Sequence, residues 1–486
     1  MPDDLTLRIR ALAEDARASA TGEEARGAVT DVVDRLEGPI RLAISGKVKA
    51  GKSTLLNALI GESLAPTDAG ECTRIVTWYR YSDRPYALVF PVEGDPVETT
   101  YLRSETAFQV DLDGRDAEEI DHLEIGWPTS RLHHVILIDT PGIASISTDV
   151  SARTHRALSA EQGQVPVADA VLYLLRHTHS SDLRFLESFH DDEVAEGTPV
   201  NTVGVLSRAD EIGSARLDAM EVAARVAQRY QGDARLHRLC PIVVPVDGLL
   251  GHAAATLRED EYAALVAVAG APSSTIAELL LTADRFASRD SDVVPVDRRA
   301  PLLDRLGLFG VRLCVELIRA GTVTTSSELC ARLADLSGLE RLRTVVERQF
   351  DARARVLKAR SAVAALRELF EKGACTDGPA LLHRLEQITA GAHEFEEVRV
   401  LLELRGGELT LTPERESELD LLMGGSGHAP ASRLGLPADA AAEEVRAAAL
   451  TALAVWQGVE RHPLSSRSTQ IAARAATRTL EGLLVG

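Results

Sequence analysis

The period of the hydrophobic positions changes along this chain of 486 residues, and the changes divide it. Near the start, Leu5, Ile9, Leu12, Val29, Val32, Val33 and Leu36 fall at helical spacing, which predicts one or two helices. They precede the first strand pattern, so they are expected to pack on helices elsewhere rather than in a sheet core. From residue 40 to about 245 the pattern becomes short continuous apolar runs with helical spacers between them. Residues 40–44, 135–138, 170–175, 202–206 and 242–244 are such runs, and they suit strands covered on both faces, as in a parallel α/β sheet. Residues 73–81, 86–90 and 122–126 read as further strands, and the acidic, polar stretches between them as loops.

Past about residue 248 the strand signal fades. Residues 257–281 are mostly helical, interrupted at Gly270-Ala271-Pro272; 288–301 read as a charged, proline-containing loop, and 302–320 as helix again. The longest uninterrupted helical pattern is 339–370, where Leu339, Leu342, Val346, Phe350, Val356, Val363, Leu366 and Phe370 mostly step by three and four. At 1.5 Å per residue it would run roughly 50 Å. A turn at 373–379 precedes a second helix at 380–404 that can run back antiparallel. Residues 424–437, with Gly424-Gly425-Ser426-Gly427, read as a flexible break before two last helices at 438–456 and 466–484.

Candidate chemistry is concentrated after the first strand. Gly46-Lys47-Val48-Lys49-Ala50-Gly51-Lys52-Ser53, continuing into Thr54, fits G-x-x-x-x-G-K-[ST] between an apolar run and a helical one. In that arrangement glycines let backbone N–H groups curl around phosphates, a lysine (here Lys52) reaches the β/γ-phosphates and a hydroxyl (Ser53) meets Mg²⁺. The chain has only five lysines, at 47, 49, 52, 358 and 372. Three of them lie in this loop, so it is not ordinary surface.

Composition narrows the partners. Against 53 basic residues stand 73 acidic ones, a formal net charge of −20, which argues against nucleic acid and against simple adhesion to anionic lipid. Aromatic residues are 4% of the chain, too few for stacking platforms on single strands. The five cysteines, at 72, 240, 314, 330 and 375, include no C-x-x-C pair, the pattern of a reduced cytosolic protein. The N-terminus is acidic, unlike a signal peptide, and the most apolar windows are too short to span a bilayer.

Three further elements separate GTP from ATP. Asp139-Thr140-Pro141-Gly142 closes an apolar strand and fits D-x-x-G, in which the aspartate holds Mg²⁺ through water and the glycine N–H bonds the γ-phosphate. Thr73, with Thr67 as competitor, lies where a switch threonine completes the Mg²⁺ shell. After the 202–206 run stands Ser207-Arg208-Ala209-Asp210 in the place of [NT]-K-x-D. Asp210 accepts both the ring N–H and the exocyclic amine of guanine, and the aliphatic stem of Arg208 covers the base face. Val246-Asp247-Gly248 after the next strand is a last base-contacting loop whose residues the sequence does not rank. His133, His134, His177 and His179 lie beside strands and are left out of the site.

Together these residues resemble the bacterial dynamin-like proteins, specifically those of actinobacteria that include the mycobacterial isoniazid-inducible group. The likeness is carried by G-K-V-K-A-G-K-S-T-L-L-N-A-L from Gly46, by A-P-T-D-A-x-x-x-T-R-I-V-T from Ala65, by D-T-P-G from Asp139 and by L-S-R-A-D from Leu206. It extends to Ser337-Gly338-Leu339 and to 356–361, and weakens to helical character alone over the last 80 or so residues. The resemblance implies an α/β P-loop GTPase head, with a mixed, mostly parallel sheet and helices on both faces, plus an elongated α-helical neck and trunk. The expected division is 1–38 for N-terminal neck helices, 39–335 for the GTPase domain and 336–486 for the stalk. It also implies GTP hydrolysis to GDP with Mg²⁺, homodimerisation through the heads and membrane remodelling. A paralogous dynamin-like partner and a cytoplasmic location with peripheral contact at the inner face of the plasma membrane are expected as well.

The expected nucleotide-binding set is Gly46, Lys47, Val48, Lys49, Ala50, Gly51, Lys52, Ser53, Thr54, Asp139, Gly142, Ser207, Arg208 and Asp210. Ser53, Thr73 and Asp139 are the expected metal residues; Lys49, Lys52 and Thr73 are the catalytic ones. Lys49 stands where eukaryotic dynamins carry a serine and where the related guanylate-binding proteins carry an arginine finger. Two readings stay open there: a cationic finger acting when two heads pair, or a solvated lysine that only raises the local potential. At the level of function, a soluble regulatory GTPase without lipid contact and an ATP-binding scaffold remain as alternatives. Leu421-Leu422-Met423 with the following glycines reads either as a membrane-seeking tip loop or as an inter-helix linker.

Overall fold

Continuous apolar runs become the centre of a nine-stranded sheet in the computed structural model, which describes residues 4–47, 49–66, 75–103, 108–112, 114–141, 168–176, 202–233, 236, 240, 242–347, 354–405, 409, 411–425 and 427–485. The strands are β1 (Ile40–Gly46), β2 (Val76–Tyr81), β3 (Tyr86–Pro91), β4 (Val97–Thr99), β5 (Tyr101–Arg103), β6 (Phe108–Val110), β7 (Ile120–Trp127), β8 (Val135–Asp139), β9 (Ala170–Leu175), β10 (Thr202–Leu206) and β11 (Val243–Pro245). The main sheet runs β11-β10-β9-β1-β8-β2-β7-β3-β4. Strands β11 through β8 in that order are all parallel, β2 enters antiparallel to β8, and β7 is again parallel to β2. The parallel half is where every residue of β10 and nearly all of β1 are buried. Polar stretches between β3 and β7, expected as loops, carry the short strands β4, β5 and β6. Tyr101 on β5 stacks on Phe108 of β6, with ring centroids 5.1 Å apart, and both rings meet Trp127 of β7 edge-on, so an aromatic cluster docks the β5–β6 pair on the sheet.

Among the described residues the helices are α1 (Asp4–Ala18), α2 (Glu23–Glu37), α3 (Lys52–Ile60), α4 (Ala219–Gln231), α5 (Gly248–Thr256), α6 (Glu259–Ala269), α7 (Ser273–Leu279), α8 (Ala283–Ser288), α9 (Val296–Arg319), α10 (Ser326–Leu336), α11 (Leu339–Val346), α12 (Ala354–Glu371), α13 (Gly378–Gly391), α14 (His393–Arg405), α15 (Pro413–Leu422), α16 (Pro430–Arg433), α17 (Ala442–Arg461) and α18 (Arg467–Val485). One sheet face packs Leu42 and Ile44 against Leu55 and Leu56 of α3, and Leu339 and Leu342 of α11 join that core. Over β9 and β10, α4 buries Ala223, Val226 and Ala227. Helices α5 through α10 form a second core around Phe286, Leu306 and Phe309. Helices α1 and α2 share a third core with α12 and α13, and α14, α15, α17 and α18 build a fourth around the fully buried Trp456.

Four element boundaries differ from the sequence pattern. The helix expected from 302 begins at Val296, because Arg299 in its charged first turns is buried, with its guanidinium 5.9 Å from the Phe286 ring centroid. The pattern at 339–370 comprises α11 and α12, with 348–353 outside the described residues. The single helix at 380–404 is split at Ala392, which is extended (φ −85, ψ 107) and buried. Within the glycine-rich break at 424–437, α16 forms a turn whose Arg433 is buried against Glu397, with contacts of 2.5 and 3.0 Å. The sequence reads 288–301 as a charged loop and 424–437 as a flexible break, whereas Arg299 and Arg433 within them are buried, with partners supplied from elsewhere in the chain.

No described helix is by itself long and apolar enough to cross a membrane. Leu422 and Met423, candidates for a membrane-seeking tip, are buried at about 1% exposure in the fourth core, so the linker reading describes them in this state. The tip reading of that segment is corrected accordingly.

Where α5 crosses the loop after α3, His252 lies 3.2 Å from Ser63 Oγ. Burial, and then the neighbouring Arg305, push its pKa down to about 4 from 6.5. A depressed histidine pKa gives stability that is complete above 6.5 and lost as pH falls toward 4. Urea unfolding of the head is therefore expected to weaken by up to about 3 kcal/mol between pH 7 and pH 4 through this group. His252→Gln should flatten that part of the profile, and a profile that keeps its slope in the variant would assign it elsewhere.

Candidate functional site

The phosphate-loop candidate begins where β1 runs out between its two parallel neighbours. Gly46 has φ 152, and a Cβ there would stand 2.9 Å from Leu174 Cβ and 3.1 Å from the Leu174 carbonyl oxygen of β9. Only glycine leaves β1 at this angle without pushing β9 away. The chain then curls: the Ala50 N–H donates to the Lys47 carbonyl at 3.1 Å, and Gly51 in the left-handed region opens α3 at Lys52. An α3 amino end without a side-chain cap leaves N–H groups and the positive end of the helix dipole facing the loop, a setting that favours an anion.

Lys52 arches back across this mouth, its Nζ donating to the carbonyls of Gly46 at 3.3 Å and Lys47 at 3.4 Å. Burial lowers its pKa, with Asp139 pulling the other way. Ser53 and Thr54 follow on the first turn of α3, both half-buried. Lys49 is different in kind. It is exposed, has φ 62, and makes no hydrogen bond or ion pair among the described residues. A non-glycine residue in the left-handed region costs roughly 1–2 kcal/mol, so the loop holds this lysine outward at some expense. Val48 lies outside the described residues.

Asp139 ends β8 in register with Ile44 of β1, which sets its carboxylate beside the phosphate loop. The residue is half-buried, and its Oδ1 is shielded from solvent with no hydrogen-bond partner among the described residues. Burial pushes its pKa up to about 6, and the nearby Lys52 ammonium opposes that rise. Thr140 fixes the exit of the strand: its Oγ1 donates to the Ile44 carbonyl at 2.9 Å. A buried carboxylate oxygen with no donor, next to a helix amino end and a lysine, fits a divalent cation shared with phosphate oxygens. Among the described residues no cluster of three or more His, Cys, Asp or Glu could hold a metal by itself, and Mg²⁺ characteristically takes one or two protein oxygens plus phosphate and water. Gly142, Thr73 and its competitor Thr67 lie outside the described residues.

An open cavity of about 100 Å³ joins the loop to the exits of β10 and β11. Gly51, Thr54 and Leu55 line one side, Ser207, Arg208, Asp210 and Glu211 the other, and Val246, Gly248 and Leu249 close it. Ser207 is tied to β9, its N–H and Oγ donating to the Leu175 carbonyl at 3.0 and 3.2 Å. Arg208 is left-handed (φ 53, ψ 42); its guanidinium meets Glu211 at 2.5 Å, while its Cγ lies 4.0 Å from where a Gly51 Cβ would stand. The arginine stem thus packs toward the phosphate loop and the charge is drawn off to the rim. Asp210 is mostly buried. Burial and then Glu211 raise its pKa, and its own N–H, Arg208 and the Glu211 N–H hold it back. Asp247, fully buried, caps α5 by accepting from the Leu250 N–H at 3.1 Å; burial and then Asp210 push its carboxyl well up.

The tertiary structure therefore brings Gly51, Thr54, Ser207, Arg208 and Asp210 to one cavity, with Lys52 and Asp139 together beside it. Sequence reasoning left Gly248, Leu249 and Glu211 unranked. Their only signal was position, a turn following each of the last two strands. Gly248 approaches so closely that a Cβ would stand 3.2 Å from Thr54 Cγ2.

Comparison with known proteins places these features in context. A family model described as "Dynamin family" matches residues 42–209. The isoniazid-induced protein IniC of Mycobacterium tuberculosis is 39% identical over 453 residues, covering 93% of this chain and 91% of the relative. The bacterial dynamin-like protein of Nostoc punctiforme is 29% identical over 167 residues, 32% of this chain and 23% of that one. The isoniazid-induced protein IniA of Mycobacterium tuberculosis is 34% identical over 139 residues, 27% of this chain and 20% of that one.

Proposed function

We propose that this chain, which belongs to the dynamin family and is a dynamin-like GTPase, uses Mg²⁺-dependent GTP hydrolysis and pairing of two heads to remodel or maintain a membrane. The observation that carries the nucleotide part is the single cavity that joins Gly51 and Thr54 to Asp210. Phosphate-binding and base-reading residues share one space at the carboxyl ends of the strands, where open α/β sheets hold ligands.

In this reading the loop that opens at Gly46 wraps the phosphates, with Lys47 and Ala50 in the curl, and Lys52 leaves its two carbonyls for the β/γ-phosphates. Ser53 and Asp139, with Thr73, are the residues that would hold Mg²⁺, which when bound would supply charge neutralisation for the phosphates. Gly142 bonds the γ-phosphate through its N–H, and Thr73 orients the attacking water. Arg208 covers the base, Ser207 steadies the strand exit, and Asp210 accepts from the guanine edge. No general base is required, because phosphoryl transfer to water proceeds by positioning and electrostatics. Calorimetry tests this part: GTP binding well above ATP binding is expected, and ATP binding without GTP binding would leave only the scaffold reading.

Lys49 extends the reading to two heads. Held outward and unengaged, it is placed to meet charge developing between β- and γ-phosphates once a second head closes the site. Turnover per head is expected to rise with protein concentration, and Lys49→Ala to lose about tenfold at high concentration, less than an arginine finger because lysine lacks the planar fork. A variant with full rate and full concentration dependence returns Lys49 to the role of a solvated lysine.

Among the described residues, Leu464 is the most exposed large hydrophobic side chain, 87% exposed in the turn between α17 and α18, and is taken as the candidate for membrane contact. The burial of Leu422 and Met423 favours the second reading, a regulatory GTPase that controls assembly without lipid, with a paralogue or a further copy as partner. Co-sedimentation with liposomes, with and without GTP, separates the two. GTP-dependent sedimentation lost in Leu464→Glu supports the membrane role, and no sedimentation under any nucleotide selects the regulatory one.

A further inference from the structure

The loop that carries Asp210 is strained immediately after it. Gly213, Ser214 and Ala215 follow one another at φ 73, 62 and 57, all in the left-handed region that serine and alanine seldom occupy. Such strain persists only where the surroundings over-determine it. Here Ala215 packs against the second core, the Ser214 N–H donates to the Glu211 carbonyl at 3.3 Å, and one side chain from a helix of that core grips the turn from outside. Arg312, in the second half of α9, donates through Nη1 to the Ser214 carbonyl at 3.3 Å and to the Ala215 carbonyl at 2.6 Å. Its Nε and Nη2 donate to the Leu280 carbonyl at 3.0 and 2.7 Å, and Nη2 also to the Leu281 carbonyl at 3.1 Å. All five bonds end on main-chain carbonyls, so this guanidinium serves as a clasp between two turns.

The same helix touches Asp210 itself. Helix α9 is broken at Gly307, whose φ 63 and ψ 172 only glycine adopts readily. A Cβ there would stand 3.6 Å from Asp210 Oδ2 and 3.4 Å from Leu249 Cδ1, and both residues line the cavity. The break lets α9 resume against the base-reading carboxylate, and five residues later Arg312 grips the strained turn behind it.

We infer that the second half of α9 is a brace for guanine recognition, in which Arg312 is a positioning residue that sets the turn behind Asp210 and Gly307 supplies the left-handed break that brings the helix beside Asp210. Both residues act through the placement of the carboxylate. The inference rests on the guanine reading of Asp210. It adds a specificity element from a helix about 100 residues downstream of the base-reading motif.

The test uses steady-state hydrolysis of GTP and of ITP by the full chain. Inosine lacks the exocyclic amine, so the ratio of the two KM values reports the paired contact made by Asp210. Arg312→Ala is expected to raise the KM for GTP about tenfold, the loss of one charge-assisted hydrogen bond. The KM for ITP should rise less and kcat at saturation should stay within about twofold, while Arg312→Lys recovers part of the preference. Gly307→Ala, which keeps the Arg312 side chain but strains the left-handed break that positions the second half of α9, is the second probe and is expected to lower the GTP:ITP preference in the same direction. A wild-type preference for GTP over ITP that survives unchanged in both variants, or KM values that rise equally for both nucleotides, overturns the brace alone. A wild-type chain that binds ATP and GTP alike overturns the guanine reading and the brace with it.

Discussion

Lys52→Ala is expected to lower GTP turnover by about 10²–10³-fold, the usual consequence of removing one preorganised charge from a transition state. It is also expected to weaken nucleotide binding. Among the described residues Lys52 Nζ makes two long hydrogen bonds, to the Gly46 and Lys47 carbonyls. Its removal should therefore leave the melting temperature close to that of the parent. That separation makes the experiment informative, because lost turnover in a folded variant reports chemistry. Single-turnover hydrolysis with saturating Mg²⁺ and GTP is the measurement. A variant that keeps more than about a tenth of the rate would remove this loop from the catalytic site, whatever its motif.

The second large effect concerns stability. Asp169 stands immediately before β9, and its side chain is completely buried. Arg35 of α2 donates to Oδ1 through Nε at 3.2 Å and Nη2 at 2.9 Å; Ser361 of α12 donates to the same oxygen at 3.1 Å; the Arg41 N–H of β1 donates to Oδ2 at 2.9 Å. One carboxylate thus joins two helices of the third core to two central strands. Nearby, Lys358 of α12 donates to the Gly38 carbonyl at 2.7 Å, between α2 and β1. Asp169→Ala takes the counter-charge from a buried guanidinium and is expected to cost about 3–5 kcal/mol. Ser361→Ala, which deletes one hydrogen bond, should cost only about 1 kcal/mol. Urea unfolding followed by far-UV circular dichroism checks both. A loss of less than about 1 kcal/mol in Asp169→Ala would mean that apolar packing between α12 and the head core, and not this ion cluster, holds the junction.

How much of the site could be read from the sequence depended on distance along the chain. The phosphate loop was legible because its requirements are local. Gly46, Gly51, Lys52 and Ser53 lie within eight positions, and each meets a backbone or charge need that any strand–loop–helix imposes. Asp139 and Asp210 were legible one step less directly, because each follows an apolar run and so must emerge at the same edge of a parallel sheet. Gly307 and Arg312 were not. Nothing near them in sequence needs a glycine in a helix or an arginine facing carbonyls, and their partners at 210–215 lie about 100 residues away.

Charge and hydropathy misled where burial was decided at long range. Arg299 lies in a stretch that reads as a charged loop and Arg433 in one that reads as a flexible break, yet each is buried against groups from other elements. Leu422 and Met423 read as a candidate for lipid, yet both fill the fourth core. Expectations for Thr73, Gly142 and Val48 lie outside the described residues. The sequence by itself determined the parallel α/β head, the helical second part and the local chemistry of the phosphate loop, since periodicity and short-range sterics are properties of neighbouring residues. Only the tertiary structure decided which distant groups share a cavity, which charges are buried, and which helix braces Asp210. Those outcomes depend on contacts between segments that the chain order keeps far apart, and their stabilisation exists only once the whole core has closed.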